Sequence, residues 1–151
     1  MSRVRRQIMI RIGPEAVLDT VRDLEIFPKP LGILESVGLL SRSEDKNIVT
    51  TEWVASLPKL RRALHWTQEE TWNPMSNSCS FRQVSGDFDE FFGSWNFTKV
   101  EQGMTRFDLV ADYRLEIPLI GAMFRSAIQQ SMESIMESFQ QAIKNHCEGR
   151  G

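Results

Sequence analysis

Few side chains in this sequence have the type and spacing that catalysis usually needs. The chain has two histidines, His65 and His146. His65 lies on the opposite face of a predicted strand from Trp66, so we expect it to point outward. His146 falls at the end of a helical segment, where a cation suits the helix dipole. Neither histidine is therefore predicted to act as a catalytic base or a metal ligand.

Sequence motifs for metal, phosphate and nucleophile chemistry are also missing. The sequence has no HExxH or CxxC metal motif and no glycine-rich phosphate loop. It also lacks the G-x-S-x-G turn of serine hydrolases. Asp87, Asp89 and Glu90 form one acidic hairpin edge, which is typical of a solvated surface. The sequence predicts no metal ion and no cofactor.

Large aromatic and methionine side chains are the more distinctive candidates for a binding role. Aromatic residues alternate along the predicted strands, and methionines lie on the last predicted helix. Methionine adapts to irregular partners because it is unbranched and polarizable. The same residue types line hydrophobic pockets and fill hydrophobic cores, so composition leaves both readings open. The set comprises Trp53, Trp66, Phe81, Trp95, Phe107, Tyr113, Met123, Met132 and Met136.

Two hydrophobic periodicities predict the elements that position these side chains. Alternation between residues 34 and 118 predicts six antiparallel strands joined by short turns. Before them, residues 3–12 predict a strand, which is followed by two short helices, because the helix that begins at Pro14 restarts once before Pro28. After them, residues 119–146 predict one amphipathic helix of about 42 Å. This order predicts a two-layer α+β domain, in which a curved sheet of about seven strands wraps around the C-terminal helix.

The composition is that of an ordinary globular chain. The 151 residues are 41% hydrophobic and 25% charged, with a formal net charge of −2. This length fits one domain spanning residues 1–151, and the absence of a basic excess argues against a DNA-binding protein. Cys79 and Cys147 predict free thiols in a reducing compartment. Because no long apolar window occurs, we expect a cytoplasmic protein, with peripheral contact to a membrane left open.

A long helix held in a bent sheet cannot touch that sheet everywhere, so the arrangement predicts a cavity between them. Ligand pockets typically measure ~300–1,000 Å³ and are mostly apolar. Leaving ~300 Å³ empty would cost ~7 kcal/mol at about 24 cal/mol per Å³, which is comparable with the stability of a whole domain. We therefore expect side chains, water or a ligand to fill this space.

Five short segments, taken in order, indicate a family. They are residues 23–28 (DLEIFP), 64–67 (LHWT), 83–88 (QVSGDF), 93–95 (GSW) and 103–106 (GMTR). Together they resemble the START-like (SRPBCC) helix-grip superfamily, which also contains Bet v 1-type proteins. The resemblance covers about residues 4–146. It is closest to the polyketide cyclase/dehydrase (aromatase/cyclase) and coenzyme Q-binding subfamilies, and it implies a deep cavity for a hydrophobic or polycyclic ligand.

The resemblance also implies which side chains line that cavity. Five positions match the lining of the aromatase/cyclase pocket, and Arg82 matches one of its arginines. An arginine there would anchor a ligand carbonyl, enolate or carboxylate, which makes Arg82 the candidate catalytic residue. The ligand-binding residues that we predict are Phe27, Leu34, Leu64, Trp66, Gln68, Arg82, Phe91, Trp95, Phe107, Leu109, Tyr113, Ile128, Met132 and Met136.

The sequence departs from the cyclase pattern at positions that matter for catalysis. Glu70 stands where a second arginine is expected, and Ile33 and Leu34 stand where an acid and a tyrosine are expected. Such polar groups supply proton transfer and enolate stabilisation in cyclase chemistry. Their replacement favours binding or carriage of a lipid-like molecule over catalysis.

Three functions remain open at this point. The first is the binding or transport of a hydrophobic small molecule, such as a lipid, a quinone or a polyketide-like compound. The second is an aromatase/cyclase-like enzyme, in which Arg82 stabilises an enolate and Gln68 or Tyr113 hydrogen-bonds a carbonyl. The third is an interaction protein that contacts a ribosome or a membrane through arginines such as Arg5 and Arg6. The sequence makes no prediction of oligomeric state.

Overall fold

Seven antiparallel strands form a single sheet in the computed structural model, which describes residues 1–23, 32–117 and 124–149. The strand order is β1-β7-β6-β5-β4-β3-β2. This confirms the predicted order of a first strand, a short helix, six strands and a long helix, while the second of the two predicted short helices lies outside the described residues. The elements are β1 (Ser2–Ile10), α1 (Pro14–Val21), β2 (Leu34–Arg42), β3 (Ile48–Leu57), a 3₁₀ helix (Pro58–Leu60), β4 (Arg62–Asn73), β5 (Ser78–Gly86), β6 (Glu90–Glu101), β7 (Met104–Arg114) and α2 (Arg125–Cys147).

Helix α1 begins where the sequence predicts, because Pro14 occupies its first turn, where the missing N–H costs nothing. Glu15 in the same turn favours the positive end of the helix dipole. The helix buries Val17 and Val21 against the rest of the molecule. The predicted restart of the helix before Pro28 lies outside the described residues.

Period-two alternation gives the sheet an inner face, which lies against α2, and an outer face. On β4 the alternation buries Leu64, Trp66, Gln68, Glu70 and Trp72 on the inner face. The intervening residues of the strand are half-buried or exposed. The apolar stripe and the two polar side chains among these five therefore face the same interior.

Helix α2 covers the inner face with a continuous stripe of buried side chains. The helix is predicted over residues 119–146, and its described part runs from Arg125 to Cys147. Met123 and the start of the predicted helix lie outside the described residues. The stripe consists of Ile128, Met132, Ile135, Met136, Phe139, Gln140 and Ile143.

The basic N-terminal strand lies at one edge of the sheet and is partly neutralised by acidic groups of the same chain. The Nε atom of Arg3 lies 2.7 Å from Oδ1 of Asp112. The guanidinium of Arg6 lies 3.6 Å from the carboxylates of both Glu133 and Glu137 on α2. These pairs fasten β1 to its neighbours and reduce the positive charge that the edge offers to an anionic partner.

Candidate functional site

Aromatic rings predicted to line a cavity pack against one another in the middle of the interior. Trp53 and Trp66 stack with ring centroids 5.5 Å apart. Phe139 of α2 lies 5.2 Å from the Trp53 ring and 5.0 Å from the Trp95 ring. The centre of the space expected between sheet and helix is therefore filled by side chains, which is one of the three possibilities that the sequence leaves open.

The other predicted ligand-binding residues divide between this core and cavities near its ends. Leu64 lines a cavity of about 460 Å³ together with Leu115 and Ile117. Tyr113 and Ile128 line one of about 210 Å³. Phe27 lies outside the described residues. The remaining apolar members are buried in the core: Leu34, Phe91, Phe107, Leu109, Met132 and Met136.

Arg82 lies on the outer face of the sheet. Its Nη2 atom is 3.3 Å from Oε1 of Glu69, and its side chain is 63% exposed. The reason is strand alternation, because the neighbouring Phe81 is buried and takes the inner face. A ligand in the interior would not reach Arg82. The expectation that Arg82 anchors a ligand there therefore does not fit its position on the outer face.

A chain of buried polar groups crosses the inner face between β3 and β4. Nε1 of Trp53 donates to Oγ1 of Thr51 at 2.8 Å, and Thr51 donates to Oε2 of Glu70 at 2.8 Å. From the other side, Nε1 of Trp66 donates to Oε1 of Gln68 at 2.9 Å, and Nε2 of Gln68 donates to the same Oε2 at 2.9 Å. Both branches of the chain end on one oxygen of Glu70.

Burial controls the ionisation of Glu70, which is only 3% exposed. Burial raises the pKa of Glu70 from its usual 4.5 to about 7, because the charged form loses its hydration. The hydrogen bonds from Thr51 and Gln68 act in the opposite direction and favour the carboxylate. The side chain is thus balanced between its two protonation states near neutral pH.

Glu70 lines a cavity of about 470 Å³ near the α1 end of the inner face, which we name the Glu70 cavity. Its apolar walls come from Val21, Val49 and Trp72, and its charged opening includes Arg22 and Arg42. Asp19, Asp23, Asp45 and Lys46 complete the described lining. The cavity therefore combines an apolar wall, a charged opening and one buried carboxyl group.

The cations at this opening are held in place by the surrounding chain. The guanidinium of Arg22 lies 5.2 Å from the centroid of the Trp72 ring. Arg22 also donates to the carbonyl oxygen of Lys46 and to Oδ1 of Asn47. Nη2 of Arg42 donates to the carbonyl oxygen of Arg22 at 3.0 Å. Arg22 therefore lies over the Trp72 ring in the cavity lining, and Arg42 is tied to Arg22.

Sequence reasoning placed Glu70 on the inward face of its strand but did not assign it to the ligand-binding set. The signal was present, since Glu70 alternates in phase with Trp66 and Gln68. The resemblance drew attention to it as a departure from a cyclase arginine. Val21 and Val49 could not be found in this way, because nothing in their local pattern separates a cavity wall from core.

We expect the substitution Glu70→Gln to remove a pH-dependent loss of stability. The folded state, with the pKa of Glu70 raised to about 7, keeps a proton that the unfolded state releases near 4.5. Stability therefore falls as the pH rises through this interval, and the loss is complete above about pH 7. Between about pH 5 and pH 8, the wild type should lose about 2–3 kcal/mol more than the variant in urea unfolding.

Glu69→Gln is the matched control, because Glu69 is the adjacent residue and faces the outer surface. Its unfolding free energy should follow the wild type across the same pH range. Parallel curves for the wild type and Glu70→Gln would contradict the assignment of this titration to Glu70.

The described residues contain neither a membrane-spanning helix nor a cluster of metal-binding side chains. Along the described ranges, no helix has both the length and the apolar character to cross a bilayer. In the same ranges, no set of three or more His, Cys, Asp or Glu side chains is arranged to hold a metal ion. Cys79 and Cys147 are free thiols, as the sequence predicts.

Comparison with known proteins gives consistent likenesses over nearly the full chain. A family model described as polyketide cyclase/dehydrase and lipid transport matches residues 10–140. A crystal structure of a protein from Thermus thermophilus is similar with 28% identity, a TM-score of 0.87 and 99% of each chain covered. No curated protein sequence gives a significant match.

Two more distant structures share the fold. The Zhui aromatase/cyclase from Streptomyces sp. R1128 is 15% identical, with a TM-score of 0.78 over 99% of this chain and 94% of that one. A START superfamily protein from Mycobacterium smegmatis is also 15% identical, with a TM-score of 0.75 and 99% of each chain covered. These likenesses confirm the helix-grip, START-like α+β fold that the resemblance implied.

Proposed function

Because this chain belongs to the polyketide cyclase/dehydrase and lipid transport family, we propose that it binds a hydrophobic small molecule in the Glu70 cavity. The family supports either ligand binding or cyclase activity. The interior of this chain favours binding, because the arginine expected to anchor an enolate lies on the outer face. A lipid, a quinone or a polyketide-like compound remains the class of ligand.

The Glu70 cavity is the observation that carries this proposal. Its volume of about 470 Å³ lies within the ~300–1,000 Å³ typical of ligand pockets. Val21, Val49 and Trp72 offer an apolar wall, while Arg22 and Arg42 lie at the opening. This arrangement suits a molecule with an apolar body and a polar end.

Two residues of the predicted ligand-binding set are linked to this cavity through Glu70. Trp66 donates to Gln68, and Gln68 donates to Glu70, so both contribute to the position of the carboxyl group. We propose that they act on a ligand through Glu70. The aromatic core behind them supplies a rigid support, since Trp66 also contacts Phe88 and Phe91 at centroid distances of 5.3 and 5.4 Å.

Filling the cavity should weaken ligand binding. Val49 is buried in the cavity wall and pairs with Glu70 across the β3–β4 ladder. We expect Val49→Trp to weaken binding of the neutral apolar dye N-phenylnaphthylamine by about tenfold or more, because the indole occupies the space that holds the apolar body of a ligand. Fluorescence titration measures this change, with circular dichroism to verify folding.

Val84→Trp is the matched control, because Val84 is an exposed valine on β5. It should bind the dye like the wild type. Native mass spectrometry of protein purified from its own host should reveal a bound apolar molecule. Equal dye binding by both variants, with no co-purified molecule, would remove the proposal.

Cyclase activity is the second candidate, favoured by the pKa of about 7 at Glu70. A general acid works best when its pKa lies near the operating pH. In this function the wild type would change the products of a poly-β-ketone mimic, Glu70→Gln would lose that change, and Arg82→Ala would keep it. Identical products from the wild type and Glu70→Gln would exclude this candidate.

A further inference from the structure

We propose that Glu70 presents a carboxyl O–H to the cavity and thereby selects ligands that place a carbonyl oxygen against it. This inference rests on the proposed binding function and adds the chemical group that is recognised. It depends on three features: the direction of the buried hydrogen bonds, the oxygen that they leave free, and the apolar wall around that oxygen.

The two tryptophans fix the direction of the hydrogen bonds. An indole N–H can only donate. Trp66 donates to Oε1 of Gln68, which orients that amide so that its Nε2 must donate onward to Glu70. Trp53 donates to Thr51, whose hydroxyl proton is then directed to Glu70. The Gln68 branch offers only a donor to the carboxyl group, and Thr51 donates its hydroxyl proton to the same oxygen.

One oxygen of Glu70 is therefore saturated and the other is available. Oε2 accepts both hydrogen bonds, from Thr51 and from Gln68. Oε1 has no hydrogen-bond partner among the described residues, and Glu70 lines the cavity. When the carboxyl group is neutral, a proton on Oε1 keeps both hydrogen bonds that Oε2 accepts, whereas a proton on Oε2 would face the Nε2 donor of Gln68. The neutral group thus offers one O–H donor to the cavity.

The surroundings allow the neutral form to persist. The charged and titratable groups that face this part of the interior come from four places: Asp19, Arg22 and Asp23 at the end of α1, Arg42 on β2, Asp45 and Lys46 in the β2–β3 turn, and Cys79 on β5. Within the part of the chain that the structure describes, none of these cations forms an ion pair with Glu70. Burial therefore outweighs the stabilisation of the carboxylate, in agreement with the raised pKa of Glu70.

The protonation state determines the class of ligand. A ketone carbonyl can accept from the O–H of neutral Glu70 but is repelled by the carboxylate. A ligand hydroxyl or ammonium group would instead prefer the carboxylate, which is an acceptor only. Val49 and Trp72 are apolar side chains in the lining of the same cavity. A carbonyl compound should therefore bind more tightly below neutral pH than above it.

The test uses the naphthyl ketone Prodan and an analogue whose ketone is reduced to a methylene group. For the wild type, Prodan should bind about tenfold more weakly at about pH 8.5 than at pH 5.5, the size of one lost hydrogen bond with added repulsion. The methylene analogue should bind equally at both pH values. Fluorescence titration measures both dissociation constants.

Glu70→Gln gives the sharpest comparison, because its amide can accept from Thr51 and Gln68 while its NH₂ group donates to the cavity. This variant should bind Prodan at both pH values as tightly as the wild type does at the lower one. The control Glu69→Gln should retain the wild-type pH dependence. By linkage, Prodan should also raise the pKa of Glu70 in the wild type, measured by infrared difference spectroscopy.

The outcomes separate this inference from the proposed function. If Prodan and its analogue bind equally and without pH dependence, the cavity binds apolar molecules but the donor role is wrong. Tighter Prodan binding at the higher pH would also overturn the donor role. If neither probe binds at any pH, both the proposed cavity and the inference are overturned.

Discussion

Replacing Gly93 with alanine is expected to destabilise this protein by about 3 kcal/mol or more, which is at the upper end for an overpacking substitution. A Cβ atom on Gly93 would lie 2.0 Å from the carbonyl oxygen of Val110 and 2.6 Å from Cζ of Phe81. Val110 and Phe81 belong to the two strands that flank β6. The first of these atoms is backbone, so relief requires β6 and β7 to separate.

Gly38→Ala provides the matched control for this prediction. Gly38 also lies in a strand, and a Cβ atom there meets nothing within 4 Å. Its unfolding free energy should stay within about 0.5 kcal/mol of the wild type. Chemical denaturation of the two variants measures the difference, and equal midpoints would show that the β6–β7 ladder tolerates a methyl group at Gly93.

Phe139→Ala should cost about 3–5 kcal/mol, the range for removing a buried aromatic side chain. The ring of Phe139 joins α2 to the sheet, because it contacts the rings of Trp53, Trp95 and Phe107. These neighbours are held by their own strands and can only partly collapse into the space. The substitution therefore loses both burial and ring contacts.

Phe92→Ala is the control, because it removes the same side chain from a position that is 43% exposed. Thermal and chemical unfolding should place it close to the wild type. Added benzene should recover part of the stability of Phe139→Ala, because an apolar cavity of this kind stays dry and accepts a small apolar molecule. A small loss for Phe139→Ala would mean that α2 is held mainly by its other contacts.

Alternation and helical periodicity were sufficient to predict the order of elements and the inward face of β4. Both patterns depend only on the local backbone geometry of consecutive residues, so a single sequence is enough to detect them. Two of the segments that carried the resemblance also contain residues with a clear steric role. Gly93 leaves room for the ring of Phe81. Gly86 has a φ of +144°, and a Cβ atom on it would lie 2.6 Å from Cα of Trp66.

Depth within the interior could not be predicted in the same way. Period two establishes that Trp66 and Glu70 face inward, but it does not say which of them meets another ring and which meets a cavity. That difference depends on contacts between distant segments, such as Phe139 against Trp53. Arg82 shows a related limit. The family pattern matched it to a pocket position, but its neighbour Phe81 takes the inner face, and adjacent residues of a strand face opposite sides.

The pairing of β1 with β7 has a consequence for how this protein is made. Ser2 lies opposite Tyr113, so the two partners are separated by most of the chain. During synthesis, the first strand must wait until the last one has left the ribosome, and helix α2 follows later still. Such a high contact order slows folding, and the arginines of the waiting strand would help to keep it from pairing with other chains.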